Sequence, residues 1–187
     1  MSTITLDPAT AGNTAWTGTI ADVDDGATPD EDTTYLSNTS TSGTREGIKC
    51  ANVTTAQITN GSTINYVEMQ ARCRTTLAGS MALFVGRGQP ATNTDQANFA
   101  PDASYTEYAY RHTVDPSTGV AWTIATLRDW ANATANQTIF GVVNRSVVAD
   151  LNRVTRIRVV IDFTLPPAAD KLDGLLLAGR HTGKLVR

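Results

Sequence analysis

The chain has 187 residues, 41% of them hydrophobic, and sets 15 Lys and Arg against 18 Asp and Glu for a net charge of −3. That length buries one sizeable core and fits one domain, while so small a charge, with no Lys/Arg cluster interleaved with aromatics, excludes nucleic acid as a partner. Thr leads the polar residues and Lys occurs only at Lys49, Lys171 and Lys184, a composition suited to half-buried pleated surfaces, so the expected class is all-β.

The opening MSTITLDPATAGN has neither a positive nor an apolar leader region, and no apolar run approaches the ~18 residues that span a bilayer. The expectation is a soluble chain made in the cytosol, with no membrane contact. Residues 1–43 hold Asp7, Asp22, Asp24, Asp25, Asp30, Glu31 and Asp32 and no Lys or Arg, with Gly, Pro and Ser scattered among them. They read as an acidic N-terminal arm, mostly loop, with short strands around 14–20 and 33–36.

Residues 44–165 carry the regular alternation and are the expected sandwich core. INYVEMQARCR puts Val67, Met69, Ala71 and Cys73 on one face and Glu68, Gln70, Arg72 and Arg74 on the other. SMALFVG, SYTEYAYRHTV and TIFGVV follow as strands, spaced by the turns GRGQPATNTD and DPSTG. Between the last two, Ile124, Leu127 and Trp130 recur at three-residue steps and predict a helix of about two turns over 123–131. RVTRIRVVIDFTL is a long central strand with Ile157, Val159, Ile161, Phe163 and Leu165 on one face and Arg156, Arg158 and Asp162 on the other. Pro166 and Pro167 stop it, and residues 166–187 form a C-terminal extension. The predicted architecture is an antiparallel, jelly-roll-like β-sandwich with one short helix and extended N- and C-terminal arms.

Candidate sites are few. Asp22, Asp24 and Asp25 offer hard oxygen ligands around Gly26 and are the candidate Ca²⁺ site, although the spacing is not that of an EF-hand and a solvated acidic loop is the commoner arrangement. No other cofactor is expected. A Ser/His/Asp arrangement would have to recruit His112 with Asp115, no nucleophile elbow occurs, and Glu68 and Glu107 each fit a solvent face, so the chain is not expected to be an enzyme. Tyr105, Tyr108 and Tyr110 are the candidate ligand platform, flat rings with polar tips that suit sugar faces, although core filling explains them and Trp16, Trp122 and Trp130 more often. Cys50 and Cys73 read as small buried residues rather than a bridge. The seven acids before Arg45 face a basic end, where Leu175, Leu176, Leu177, Arg180, Lys184 and Arg187 are the candidate interface; such ends can reach from one subunit to the next in a homo-oligomer.

A resemblance adds to this reading. Asp32-Thr33-Thr34-Tyr35-Leu36, then Asp115-Pro116-x-Thr118-Gly119-x-Ala121-Trp122-Thr123, Gly141-Val142 and Arg153-x-x-Arg156-Ile157-x-Val159 together resemble a recurrent β-sandwich of tailed-bacteriophage virion proteins. The order over residues 33–163 is similar to jelly-roll, concanavalin-like domains of capsid decoration, tail and fibre-associated proteins. The resemblance carries no catalytic residues. It implies a virion structural protein made in the host cytoplasm, most simply a capsid decoration or cement protein, whose partners are the major capsid protein or tail components. The alternatives are a tail, neck or fibre-associated protein, or a carbohydrate- or receptor-binding β-sandwich module.

Overall fold

The structure is a computed structural model and describes residues 1–26, 28–39, 43–77, 79–87, 92–116, 118–131, 137–146 and 151–167. Ten strands form two antiparallel five-stranded sheets. Their ranges are β1 Ser2–Leu6, β2 Pro8–Thr14, β3 Leu36–Asn38, β4 Arg45–Cys50, β5 Thr63–Thr75, β6 Met81–Arg87, β7 Thr92–Asp95, β8 Thr106–His112, β9 Thr138–Asn144 and β10 Asn152–Thr164. Sheet A runs β1-β10-β5-β8, with β3 also on β10; sheet B runs β2-β4-β9-β6-β7. Among the described strands only β6 and β7 are neighbours both in sequence and in a sheet, so almost every connection leads away from its sheet neighbour, as in a jelly roll.

The two thirteen-residue strands β5 and β10 are the spine. Their period-2 patterns hold: Val67, Met69, Ala71 and Cys73 from one, and Ile157, Val159 and Ile161 from the other, are withdrawn from solvent between the sheets. Sheet B answers with Ile48, Met81, Leu83, Val85, Phe140 and Val142. Trp16, Trp122 and Trp130 are all core, and the indole N–H groups of Trp122 and Trp130 donate to the carbonyls of His112 (3.0 Å) and Ala51 (2.8 Å).

Several expectations need correction. Residues 1–43 are not an arm beside the sandwich: β1 pairs with residues 159–163 of β10 and β2 with β4, so the chain enters one sheet and crosses to the other at Asp7. The strand expected over 14–20 is a single bridge, Thr17 to Ser37, followed by a 3₁₀ turn at Ile20–Val23, and that over 33–36 begins only at Leu36. The segment GRGQPATNTD, expected to be turn throughout, ends in the edge strand β7 on β6. The helix is one turn, Ile124–Leu127, with the Thr123 hydroxyl oxygen accepting from the Thr126 amide. Tertiary hydrogen bonds take over at its end: the Leu127 carbonyl accepts from the Val53 amide (3.1 Å), the Ala131 amide donates to Asn52 Oδ1 and the Thr138 amide to the Trp130 carbonyl. Leu165 lies past the end of β10 and is exposed. The C-terminal interface residues Leu175, Leu176, Leu177, Arg180, Lys184 and Arg187 lie outside the described residues. Among the described residues no helix is long and apolar enough to cross a membrane.

Cys50 and Cys73 are free and buried, and burial pushes both thiols well above their ordinary range. Because the thiolate is the reactive form, neither should react with a disulfide reagent in the native protein, whereas both should titrate once it is unfolded. Rapid native labelling at either position would contradict this packing.

Candidate functional site

The outward face of sheet A carries a dense network of ion pairs. Alternation along β5 turns Tyr66, Glu68, Gln70, Arg72 and Arg74 away from the core, and the register sets Arg158 opposite Gln70 and Arg156 opposite Arg72 on β10. A β-bulge between Val154 and Arg156 adds one residue to that strand, which lets Arg153 and Arg156 reach the same face although they are three positions apart. On the other flank, β8 places Arg111, Ala109 and Glu107 opposite Glu68, Gln70 and Arg72.

These side chains are wired to one another across three strands. Arg111 donates from Nη2 (2.9 Å) and Nε (3.1 Å) to Glu68 Oε2, Gln70 Nε2 donates to Glu68 Oε1 (2.6 Å), and Arg158 Nε donates to Gln70 Oε1 (2.6 Å). Arg156 Nη2 meets Glu107 Oε2 at 2.8 Å, with Arg158 Nη2 3.9 Å from Oε1 of the same carboxylate. The Arg111 guanidinium lies 3.9 Å from the centre of the Tyr66 ring. Gln70 is thus fixed at both ends of its amide. Ala109 beside it carries only a methyl group, so the face dips between the longer side chains of Glu107 and Arg111. Polar atoms of this layer that are buried without a hydrogen bond include Glu107 Oε1, Arg74 Nε and Arg153 Nε.

The acidic segment closes one end of the face. Glu31 pairs with Arg72, and Asp32 Oδ1 accepts from Arg74 Nη2 (2.7 Å) and Arg153 Nη1 (2.6 Å). Thr155 Oγ1 donates to Asp25 Oδ2 (2.8 Å), and Arg156 Nη1 donates to the Gly26 carbonyl (3.0 Å). Glu31 holds a positive φ of 56°, a left-handed conformation that disfavours a side chain, and its carboxylate is the one that reaches Arg72. Of the seven acids set in the sequence against the basic C-terminal end, Glu31 and Asp32 pair with arginines of β5 and β10.

The expected sites are dispersed by this arrangement. Asp22 Oδ2 accepts from the Thr19 amide (2.5 Å) and hydroxyl (3.1 Å), while Asp25 holds Thr155 and the Asp30 amide. Asp24 lies near Asp7 and Asp25, and its carboxyl is raised above the usual range by burial first and then by those two charges. Among the described residues no three His, Cys, Asp or Glu gather closely enough to hold a metal ion. The three tyrosines do not share a platform. Tyr105 lies under the Arg74 guanidinium and donates its hydroxyl to Asp32 (3.4 Å), Tyr108 stacks on Phe99 at 4.2 Å, and Tyr110 is 42% exposed beside His112. His112 is itself buried, and Asp115 forms an ion pair with Arg87 at 3.2 Å. Glu46, which no motif marks, is buried with its Oε2 accepting from the amides of Ala15 (2.8 Å) and Trp16 (2.9 Å); burial raises its carboxyl above the usual range.

No family model matches the chain, and no curated protein does. Among solved structures it is similar to the CBM22-1–GH10 modules of Clostridium thermocellum endo-1,4-β-D-xylanase 10B complexed with xylohexaose. The identity there is 12% over 90% of this chain and 26% of that one, with a TM-score of 0.41, so the chain spans about a quarter of that structure. It is also similar to the CBM22-1 xylan-binding domain of Paenibacillus barcinonensis Xyn10C (7% identity, 84% and 92% of the two chains, TM-score 0.42). A variant of the family 29 carbohydrate-binding module CBM29-2 gives 7%, 92%, 100% and 0.43 in the same order. These likenesses concern the sandwich layout, which the strand pairing already establishes.

Proposed function

We propose that this protein is a non-catalytic binding module that holds a neutral polyhydroxylated ligand, a carbohydrate, against the outer face of sheet A. The observation that carries this reading is the hydrogen-bonded row Arg111–Glu68–Gln70–Arg158, laid flat across β8, β5 and β10 beside the dip at Ala109. Side chains already fixed by their neighbours lose little freedom on binding, and guanidinium and carboxamide groups keep further N–H directions for ring hydroxyls. Charge decides against a polyanion. The arginines of the face are matched almost one for one by Glu31, Asp32, Glu68, Glu107 and Asp162, which cancels long-range attraction and leaves short-range, directional contacts. The same wiring argues against catalysis on this face: Glu68 commits both carboxylate oxygens to Arg111 and Gln70, and Glu107 is held by Arg156, so these two carboxylates do not stand ready as a pair across a glycosidic bond.

A second reading is a structural protein of a tailed-phage particle, decorating the capsid or sitting on the tail. The observation that favours it is that β8 leaves one edge of sheet A unpaired among the described residues.

The test of the main reading is affinity electrophoresis against soluble neutral hexose and pentose polymers, with a uronic-acid polymer for comparison. At least one neutral polymer should retard the protein, and Gln70→Ala combined with Arg158→Ala should weaken that binding by about tenfold or more, equivalent to about 1.4 kcal/mol. Absence of binding to every neutral polymer, or equal binding by the double variant, would reject the proposal.

A further inference from the structure

We propose that β8 is a self-complementary edge through which two copies of this chain join sheet A to sheet A, independently of any ligand. The strand reads Thr106-Glu107-Tyr108-Ala109-Tyr110-Arg111-His112. On one side it pairs with β5 in unbroken register from Thr106 to His112. On the other side no strand lies among the described residues, and residues 106–111 make no backbone hydrogen bond outside that ladder.

The other edges of the sandwich are blunted in the ways soluble sheets use to avoid edge-to-edge pairing. Sheet B ends in β2, which carries Pro8, Gly12 and two register shifts, and in the four-residue β7. The far edge of sheet A is divided between the five-residue β1 and the three-residue β3. Strand β8 has none of these devices: no proline, glycine, lysine or bulge in seven residues.

The sequence of β8 also selects its partner. Two copies pairing antiparallel about a two-fold axis at Ala109 bring Ala109 against the partner's Ala109, where two methyl groups fit. The next positions set Tyr108 against the partner's Tyr110, and the following ones set Glu107 against the partner's Arg111. Each match occurs twice by symmetry. Aromatic and opposite-charge pairs are the favourable cross-strand combinations, and an isologous contact requires this reversal of sequence about its centre. Part of each side chain is open to a second copy: Tyr110 is 42% exposed, Arg111 has 55% of its side chain exposed while it holds Glu68, and Glu107 has 28% exposed while it holds Arg156. Tyr108 and Tyr110 alternate on the inward side and Glu107, Ala109 and Arg111 on the outward side, so both faces of the joined sheet contribute a pair. A contact of seven residues per copy is small, which places the dissociation constant in the micromolar range.

The experiment is sedimentation velocity of the full chain without ligand, across about 1 to 500 μM, a range that brackets micromolar association. The wild type should move from the 19.9 kDa monomer to twice that mass. Ala109→Lys, a change on an exposed side chain that sets two ammonium groups face to face at the axis, should remain monomeric throughout. Arg111→Glu and Glu107→Arg should each weaken dimerisation by about tenfold or more, and their combination should restore it, a pattern that general loss of folding cannot produce. A wild type that stays monomeric at the highest concentration, or a dimer indifferent to Ala109→Lys, overturns the proposal. Neither outcome bears on carbohydrate binding, which is read at concentrations where the monomer dominates.

Discussion

Gly141→Ala should be among the most damaging single-methyl additions in this protein, lowering stability by about 3 kcal/mol or more. A Cβ built there would sit 2.1 Å from the Glu46 carbonyl oxygen, 2.6 Å from the Phe84 ring and 2.7 Å from Gly47 Cα. The reason lies in the outer layer of sheet B, where Ala82, Phe84, Ile139 and Val143 form a second apolar cluster separate from the main core. The Phe84 ring reaches across β9 and β4 and needs both facing positions, Gly141 and Gly47, to lack side chains. Phe84 could turn away, but the Glu46 carbonyl belongs to the ladder that pairs Glu46 with Val142, so relief requires breaking the sheet. Combining Phe84→Ala with Gly141→Ala should therefore fail to recover the loss. Gly26→Ala is the control: its φ of 53° disfavours a side chain but nothing lies within 4 Å, and its cost should be about 1 kcal/mol. Urea unfolding midpoints of the three variants decide the matter; a Gly141→Ala protein as stable as Gly26→Ala would refute the packing described for this face.

Acid should weaken the fold through His112. Burial lowers its pKa to about 4, with the Asp115 charge offsetting part of the effect. The folded chain thus prefers the neutral ring, while the unfolded chain titrates near the ordinary 6.5. Between those two values the unfolded state binds a proton that the folded state refuses, so stability falls as pH drops through this window and levels out below the folded pKa. The full shift corresponds to about 3 kcal/mol, most of it lost by about pH 4.5. His112→Gln keeps a planar polar group at the site but cannot be protonated. It should lose stability at neutral pH and then decline less than the wild type on acidification. Parallel stability curves for the two proteins from neutral to acid would show that His112 is not the group responsible.

The sequence disclosed the spine of this fold and hid its margins for one physical reason. Strands β5 and β10 are wet on one face and dry on the other, and that asymmetry is written directly into Val67, Met69, Ala71 and Cys73 against Glu68, Gln70, Arg72 and Arg74. Strands β2 and β4 read as Pro-Ala-Thr-Ala-Gly-Asn-Thr and Arg-Glu-Gly-Ile-Lys-Cys, where Gly12 and Gly47 make room for Ile139; the need for a small residue erases the alternation that would announce a strand. β7 has only four residues and its neighbour β6 supplies the pairing that local propensity lacks.

The same division applies to the site. That Glu68, Gln70, Arg72 and Arg74 share one solvated face, and Arg156, Arg158 and Asp162 another, follows from alternation alone. That the two faces are one surface depends on β10 lying beside β5, which the chain reaches only after leaving sheet A and returning. The clamp on the acidic segment is less legible still. Asp32 finds Arg153 from 121 positions away, and no local pattern distinguishes an acid held by arginine from one in water.

The most direct test of the binding account is a ¹H–¹⁵N titration of the protein with short oligomers of neutral hexose and pentose polymers. The account predicts that shifts concentrate on the Gln70 side-chain amide, the Ala109 backbone amide and the Arg158 Nε, with sheet B silent. Shifts confined to sheet B, or a spectrum unchanged by every saccharide, would contradict it.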